Sequence, residues 1–211
     1  MKTEALIRTL SLDAGRPVVP VKRLLTFALL AGPASSLLLF ALVLKPRPDI
    51  QAALYSPGFC LKVVVAACLA ATAATLLDVL ARPLPRSRSL LTLTAGPLLL
   101  VAGVMIELAT FPSDTWQTRL IGRNAPHCLA LIPLLSAAPA VCLLLALRRA
   151  APARPGLAGS VIGLAAGGFG AILYALTCPD DSPLFVVVWY SIAISLVTGA
   201  CFLAGRRWLA W

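Results

Sequence analysis

Residues 128–177 read CLALIPLLSAAPAVCLLLALRRAAPARPGLAGSVIGLAAGGFGAILYALT. Two apolar runs, Cys128–Leu147 and Leu157–Thr177, flank a short segment that carries Arg148, Arg149 and Arg154. A helix needs about 20 predominantly apolar residues to cross the hydrocarbon core of a bilayer. Each run has that length, so the stretch reads as a helical hairpin through a membrane, closed by a basic turn. Four more runs of the same kind lie to either side: Leu24–Leu44, Phe59–Leu80, Leu90–Phe111 and Leu184–Ala204. The expected fold is an all-α polytopic integral membrane protein with six transmembrane helices. Its parts are a tail at residues 1–23, the bundle at 24–205 and a short C-terminal segment at 206–211.

Composition agrees. The chain has 211 residues, 60% of them hydrophobic and only 12% charged. Soluble domains lie near 45–50% apolar. The net charge of +10 would suggest nucleic acid in a soluble protein, but here the cations border apolar runs, where they set topology and meet anionic head groups. Thirteen of the 18 Lys and Arg residues fall on one side: Lys2, Arg8, Arg16, Lys22 and Arg23 in the tail, Arg82, Arg86, Arg88, Arg148, Arg149 and Arg154 in two loops, and Arg206 and Arg207 at the end. The positive-inside rule then places both termini in the cytoplasm. The first apolar run follows a polar tail and is too long for a signal-peptide core, so no cleavable leader is expected.

With that topology the reactive side chains gather at one membrane level. His127, the only histidine, and Cys128 open the fourth run, and Cys178 closes the fifth ahead of Asp180 and Asp181. Cys60 and Glu107 lie at the same level. Two chemistries suit such a rim. One is a reversible disulfide between Cys128 and Cys178, which requires Cα atoms within about 7 Å. The other is a soft or borderline metal held by Cys128, Cys178 and His127, with a carboxylate in support. The plain alternative is a set of helix-end residues with no joint role. Asp181 or Ser182 can also cap the sixth helix, with Pro183 in its first turn. Cys68, Cys142 and Cys201 lie within apolar runs and read as small buried hydrophobes. Lys62 reads as a snorkelling cation.

Other features narrow the function. No ionisable group falls at mid-span and the two halves show no broken, repeated segments, which argues against a pump or an ion-coupled transporter. The sequence holds no GxSxG, Walker, HExxH or CxxC motif, so an enzyme is not expected. Gly159, Gly163 and Gly167 form a bare stripe suited to close helix packing inside the bundle, or to a homodimer contact. In the tail, Thr3 can cap a short helix that places Leu6, Ile7 and Leu10 on one face and ends at Gly15 and Pro17. Such a face lies on the inner leaflet or docks into a groove on a soluble partner.

Two segments carry a family likeness: the opening MKTEALIRTLSLDA, and residues 127–190 from HCLALIPLL to CPDDSPLFVVVWY. With the six spans, the chain resembles the NrsF-type membrane anti-sigma factors of bacteria along essentially its whole length. The resemblance implies a protein of the bacterial inner membrane. It would hold an extracytoplasmic-function (ECF) sigma factor at the cytoplasmic face, through the tail and inner loops, and release it under stress. It also implies that Cys128 and Cys178, as a periplasmic pair, sense heavy metals or oxidants. Cys60, His127, Asp180 and Asp181 are supporting candidates from topology alone. No resident cofactor is expected, any metal being a transient signal, and no direct contact with nucleic acid. Two rival functions remain on the residues themselves: a small transporter or efflux component for a metal or toxic solute, and a membrane thiol oxidoreductase.

Overall fold

A computed structural model describes residues 20–80, 87–150 and 152–209, together with Thr3. Among the described residues six helices are long and apolar enough to cross a membrane: α1 (Val21–Val43), α2 (Pro57–Leu80), α3 (Leu91–Thr110), α4 (Ala125–Arg148), α5 (Pro155–Ala175) and α6 (Pro183–Trp208). They agree with the expected spans to within a few residues. Two short helices, Ile50–Ala53 and Trp116–Ile121, lie in the connections between α1 and α2 and between α3 and α4. Leu6, Ile7 and Leu10, the candidate docking face, lie outside the described residues.

In lipid the hydrophobic effect gives helices little reason to associate, so close packing and interhelical hydrogen bonds hold a bundle together. α5 is the hub, and its glycines explain why. A Cβ on Gly159 would collide with the carbonyl oxygen of Cys201 in α6, and one on Gly163 would lie 2.5 Å from Thr198 Cα. Gly168 packs on Ala66 and Ala70 of α2, and Gly170 on Ile132 and Ser136 of α4. Three helices therefore reach the α5 backbone at distances that only glycine permits. The expected stripe is spent on α6 inside the chain, so it is not free for a second copy.

The prolines of α4 have a matching logic. Pro139 has no N–H to give to the carbonyl of Leu135, four residues back. Ser36 of α1 fills the vacancy, donating from Oγ to Leu135 O at 2.6 Å while itself fully buried. Beside it Gly32 lets α1 approach, since a Cβ there would lie 2.6 Å from Pro139 Cα. The kink-prone position thus becomes the α1–α4 contact. By contrast α3 is peripheral: it packs mainly along α2 and against the start of α6, and most of its surface is open.

Candidate functional site

The site is built around the connection from α5 to α6, residues 176–182, which turns back between the ends of α2, α3 and α4. Each acidic group near it is assigned to a different neighbour. Asp181 Oδ2 accepts from Arg47 Nη1 at 2.8 Å, and Asp181 Oδ1 stands 2.6 Å from Lys62 Nζ, an ion pair without hydrogen-bond alignment. Asp180 Oδ2 accepts from the backbone N–H groups of Arg123 and Asn124 and from Asn124 Nδ2, at 2.9–3.0 Å. Glu107 of α3 accepts from Arg119 Nε at 2.6 Å, Ser182 Oγ at 2.7 Å and the Leu184 N–H at 2.9 Å.

Lys62 does not snorkel. Its side chain is fully buried, and Nζ donates to the carbonyl of Cys178 at 2.7 Å as well as facing Asp181. A buried ammonium survives only when paired and hydrogen-bonded, and the connection supplies both needs. Arg47 completes the arrangement. It grips Asp49 in a bidentate pair, at 2.7 and 2.6 Å, while its backbone N–H donates to Leu176 O at 3.0 Å. The hydrogen bond from Arg47 lowers the Asp49 carboxyl to about 2, and its bonds to Asp49 and then Asp181 push the guanidinium above its ordinary value despite burial.

The cap of α6 is also not the one expected. Ser182 stands at the cap position with no capping bond of its own, because its hydroxyl is turned to Glu107. Asp181 is committed to Arg47 and Lys62. Glu107, reaching across from α3, takes the otherwise unpaired N–H of Leu184 instead, which places a carboxylate on the positive end of α6. Gly122 makes the Asp180 bonds attainable. It sits at φ +59°, where a side chain would strain the backbone, and a Cβ there would strike the Phe185 ring. The turn presents two successive N–H groups to one oxygen.

Cys128 and Cys178 are brought together. Both are buried in one cluster with Tyr174 and Tyr190. Both are free thiols. Tyr174 anchors the cluster by donating to Asn124 O at 3.1 Å. Tyr190 ends a π-helical turn at Val186–Tyr190, a distortion that often accompanies function. The supporting candidates divide. Asp180 and Asp181 fix the connection. Cys60 is exposed, its thiol directed to Leu54 O, and His127 is exposed at the α4 N-terminus, turned away from its buried neighbour Cys128. Among the described residues no three His, Cys, Asp or Glu side chains form a metal-holding group. The three-ligand set of Cys128, Cys178 and His127 is therefore not assembled in this packing.

Burial raises the Cys178 thiol above its ordinary value, with Lys62 offsetting part of the effect. The neutral thiol is the form the fold favours. Its contribution to stability is complete below the unfolded value of about 9 and is lost as pH climbs beyond it. At pH 7.5 maleimide is expected to modify exposed Cys60 readily and Cys178 slowly, with the Cys178 rate rising only above pH 9. Peptide mapping by mass spectrometry checks this, and equal rates at pH 7.5 would contradict the sealed cluster.

Sequence reasoning places Glu107 on the rim without its partners, takes Lys62 for a snorkelling cation, and passes over Arg47, Arg119, Asn124 and Tyr174. One signal was available for Lys62: a cation inside an apolar run, on the level of two adjacent aspartates in another loop.

Comparison with known proteins agrees with the resemblance. The sequence matches the family described as negative regulator of sigma F, NrsF, over residues 10–211. It is 34% identical over 219 residues to the anti-sigma-F factor NrsF of Caulobacter vibrioides, covering all of both chains. It is 31% identical over 222 residues to a probable anti-sigma-F factor NrsF of Azospira oryzae, again covering both in full. No solved structure matches. Over its whole bundle and the CPDDSP connection alike, this chain belongs to the NrsF family of negative regulators of sigma F.

Proposed function

We propose that this protein is an anti-sigma factor of the bacterial inner membrane. It holds an ECF-type sigma factor at the cytoplasmic face and releases it when the Cys128–Cys178 pair is oxidised or bound by a soft metal. The observation that carries the reading is the union of family membership with a buried thiol pair beside a connection that is tied to four other elements. Both termini face the cytoplasm. The tail, with Leu6, Ile7 and Leu10, docks the sigma factor, and the basic residues Arg148, Arg149 and Arg154 meet an acidic face on it.

The packing supplies a route between the two ends. Cys178 O and Asp181 hold Lys62, one turn into α2. α2 then runs along α5, with Ala66 and Ala70 against Gly168, to Asp78 at its far end. A thiol modification that displaces residues 178–181 breaks the Lys62 contacts and lets α2 move as a rod on the α5 surface. Moving a two-state equilibrium from 1:99 to 99:1 requires about 5 kcal/mol of differential affinity. A disulfide or a metal–thiolate bond supplies energy of that order.

The test is co-purification from detergent-solubilised membranes, comparing the full chain with one lacking residues 1–20. A sigma factor that accompanies the full chain and is lost on truncation is the expected result. If no sigma factor accompanies either form, and the reconstituted protein instead moves solute across liposomes, the proposal is wrong and the protein is a transporter.

A further inference from the structure

A cleft of about 850 Å³ opens between α2 and α3 at the end of the bundle that carries the site. Its inner part is apolar, lined by Leu61, Leu99, Ala102 and Ile106 along the membrane-spanning helices. Leu99 and Ile106 are exposed there. Its mouth is polar, formed by Thr118, Arg119 and Arg123 on one side and by residues 179–183 on the other. Long apolar walls under a polar mouth, open to the bilayer, suit an amphiphile of the same build.

The unmet polar capacity of the mouth sets the charge of that amphiphile. Three carboxylates line the cleft, and each is already answered: Glu107 by Arg119 Nε, Ser182 and Leu184, Asp180 by Arg123 N and Asn124, and Asp181 by Arg47 and Lys62. The cations are not. Arg119 spends only Nε on Glu107, its guanidinium lying 3.8 Å over the Phe111 ring, and its Nη groups donate to no described residue. The Arg123 guanidinium has no acceptor among the described residues, its backbone N–H alone being used. Thr118 offers a further exposed hydroxyl. The remaining donors therefore call for an anion, and guanidinium groups match phosphate oxygens in geometry as well as charge.

We propose that this cleft binds an anionic glycerophospholipid, with its phosphate at Arg119 and Arg123 and an acyl chain laid along Leu61, Leu99 and Ile106. The proposal goes beyond the anti-sigma reading and stands without it. A head group seated in the mouth touches residues 179–183, so its occupancy bears on the connection that holds Lys62.

The full chain is reconstituted in nanodiscs of phosphatidylglycerol and phosphatidylcholine in equal amounts, extracted in mild detergent, and weighed with its retained lipid by native mass spectrometry. Phosphatidylglycerol is expected to be retained in preference by roughly 25-fold, since two arginines each contribute about a factor of five to an anionic lipid. Arg123→Gln, at an exposed position, is expected to remove most of that preference. Ala102→Trp, also at an exposed position, fills the apolar part and is expected to abolish retention with both arginines intact. Thermal unfolding in phosphatidylcholine alone shows that each variant is folded. Equal retention of the two lipids by the unaltered chain, or a preference that survives both substitutions in folded protein, would overturn the proposal.

Discussion

Asp181→Ala is expected to lower the stability of the detergent-solubilised protein by about 3 kcal/mol, the lower end of what breaking a buried ion pair costs. The reason is Lys62. Its ammonium is fully buried with Asp181 Oδ1 at 2.6 Å, and removing the carboxylate leaves a charge that water cannot reach. The lower end applies because Asp181 keeps 19% of its side-chain exposure and the carbonyl of Cys178 still accepts from Nζ. Arg47 loses one of its two acidic partners but keeps Asp49. A second substitution separates lost charge pairing from lost packing. Lys62→Met in the Asp181→Ala background removes the stranded charge and is expected to restore much of the loss, so the two changes are strongly non-additive. Thermal unfolding of the wild type, both single variants and the double variant measures this directly. An Asp181→Ala protein as stable as wild type would show that Lys62 is not buried as described.

Gly159→Val is expected to be at least as damaging, about 3 kcal/mol or more, because the clash is with backbone. The added Cβ meets the carbonyl of Cys201 and the Cα of Gly205, and neither can rotate away. α6 would have to leave α5 along the contact that also includes Gly163. Gly199 is the control. It lies on α6 with nothing within 4 Å of a built Cβ, so Gly199→Val makes the same chemical change on open surface and should leave unfolding unaltered. If both variants unfold alike, the α5–α6 contact is not what holds the bundle.

The six spans were legible because a membrane imposes length and apolarity on every crossing segment, and both are visible in one sequence. The Gly159–Gly163 stripe was legible for a related reason, since a four-residue period is a property of one helix. Gly168 and Gly170 fall off that stripe, and their partners on α2 and α4 depend on how three helices are rotated about α5, which no single helix specifies. The same limit hid the site. Lys62 looked like a snorkelling side chain because its depth was readable and its direction was not. Ser182 looked like its own helix cap because the competing acceptor, Glu107, lies 75 residues away in sequence. That Cys128 and Cys178 fall in one buried cluster follows from topology, since adjacent antiparallel helices bring their ends together. The separation of His127 from Cys128 follows from the helix itself: consecutive residues point about 100° apart, so a buried cysteine turns its neighbour outward.

The central claim is that the buried thiol pair controls the hold on a sigma factor, and retention on membranes measures it most directly. Membranes bearing the wild-type chain, or a Cys128→Ser and Cys178→Ser variant, are treated with a thiol oxidant and the sigma factor still bound is quantified. The account predicts that untreated membranes of both kinds hold it equally, and that oxidation empties the wild type while the variant keeps its load. Release from the variant to the same extent as from the wild type, or loss from the variant without any oxidant, would contradict it.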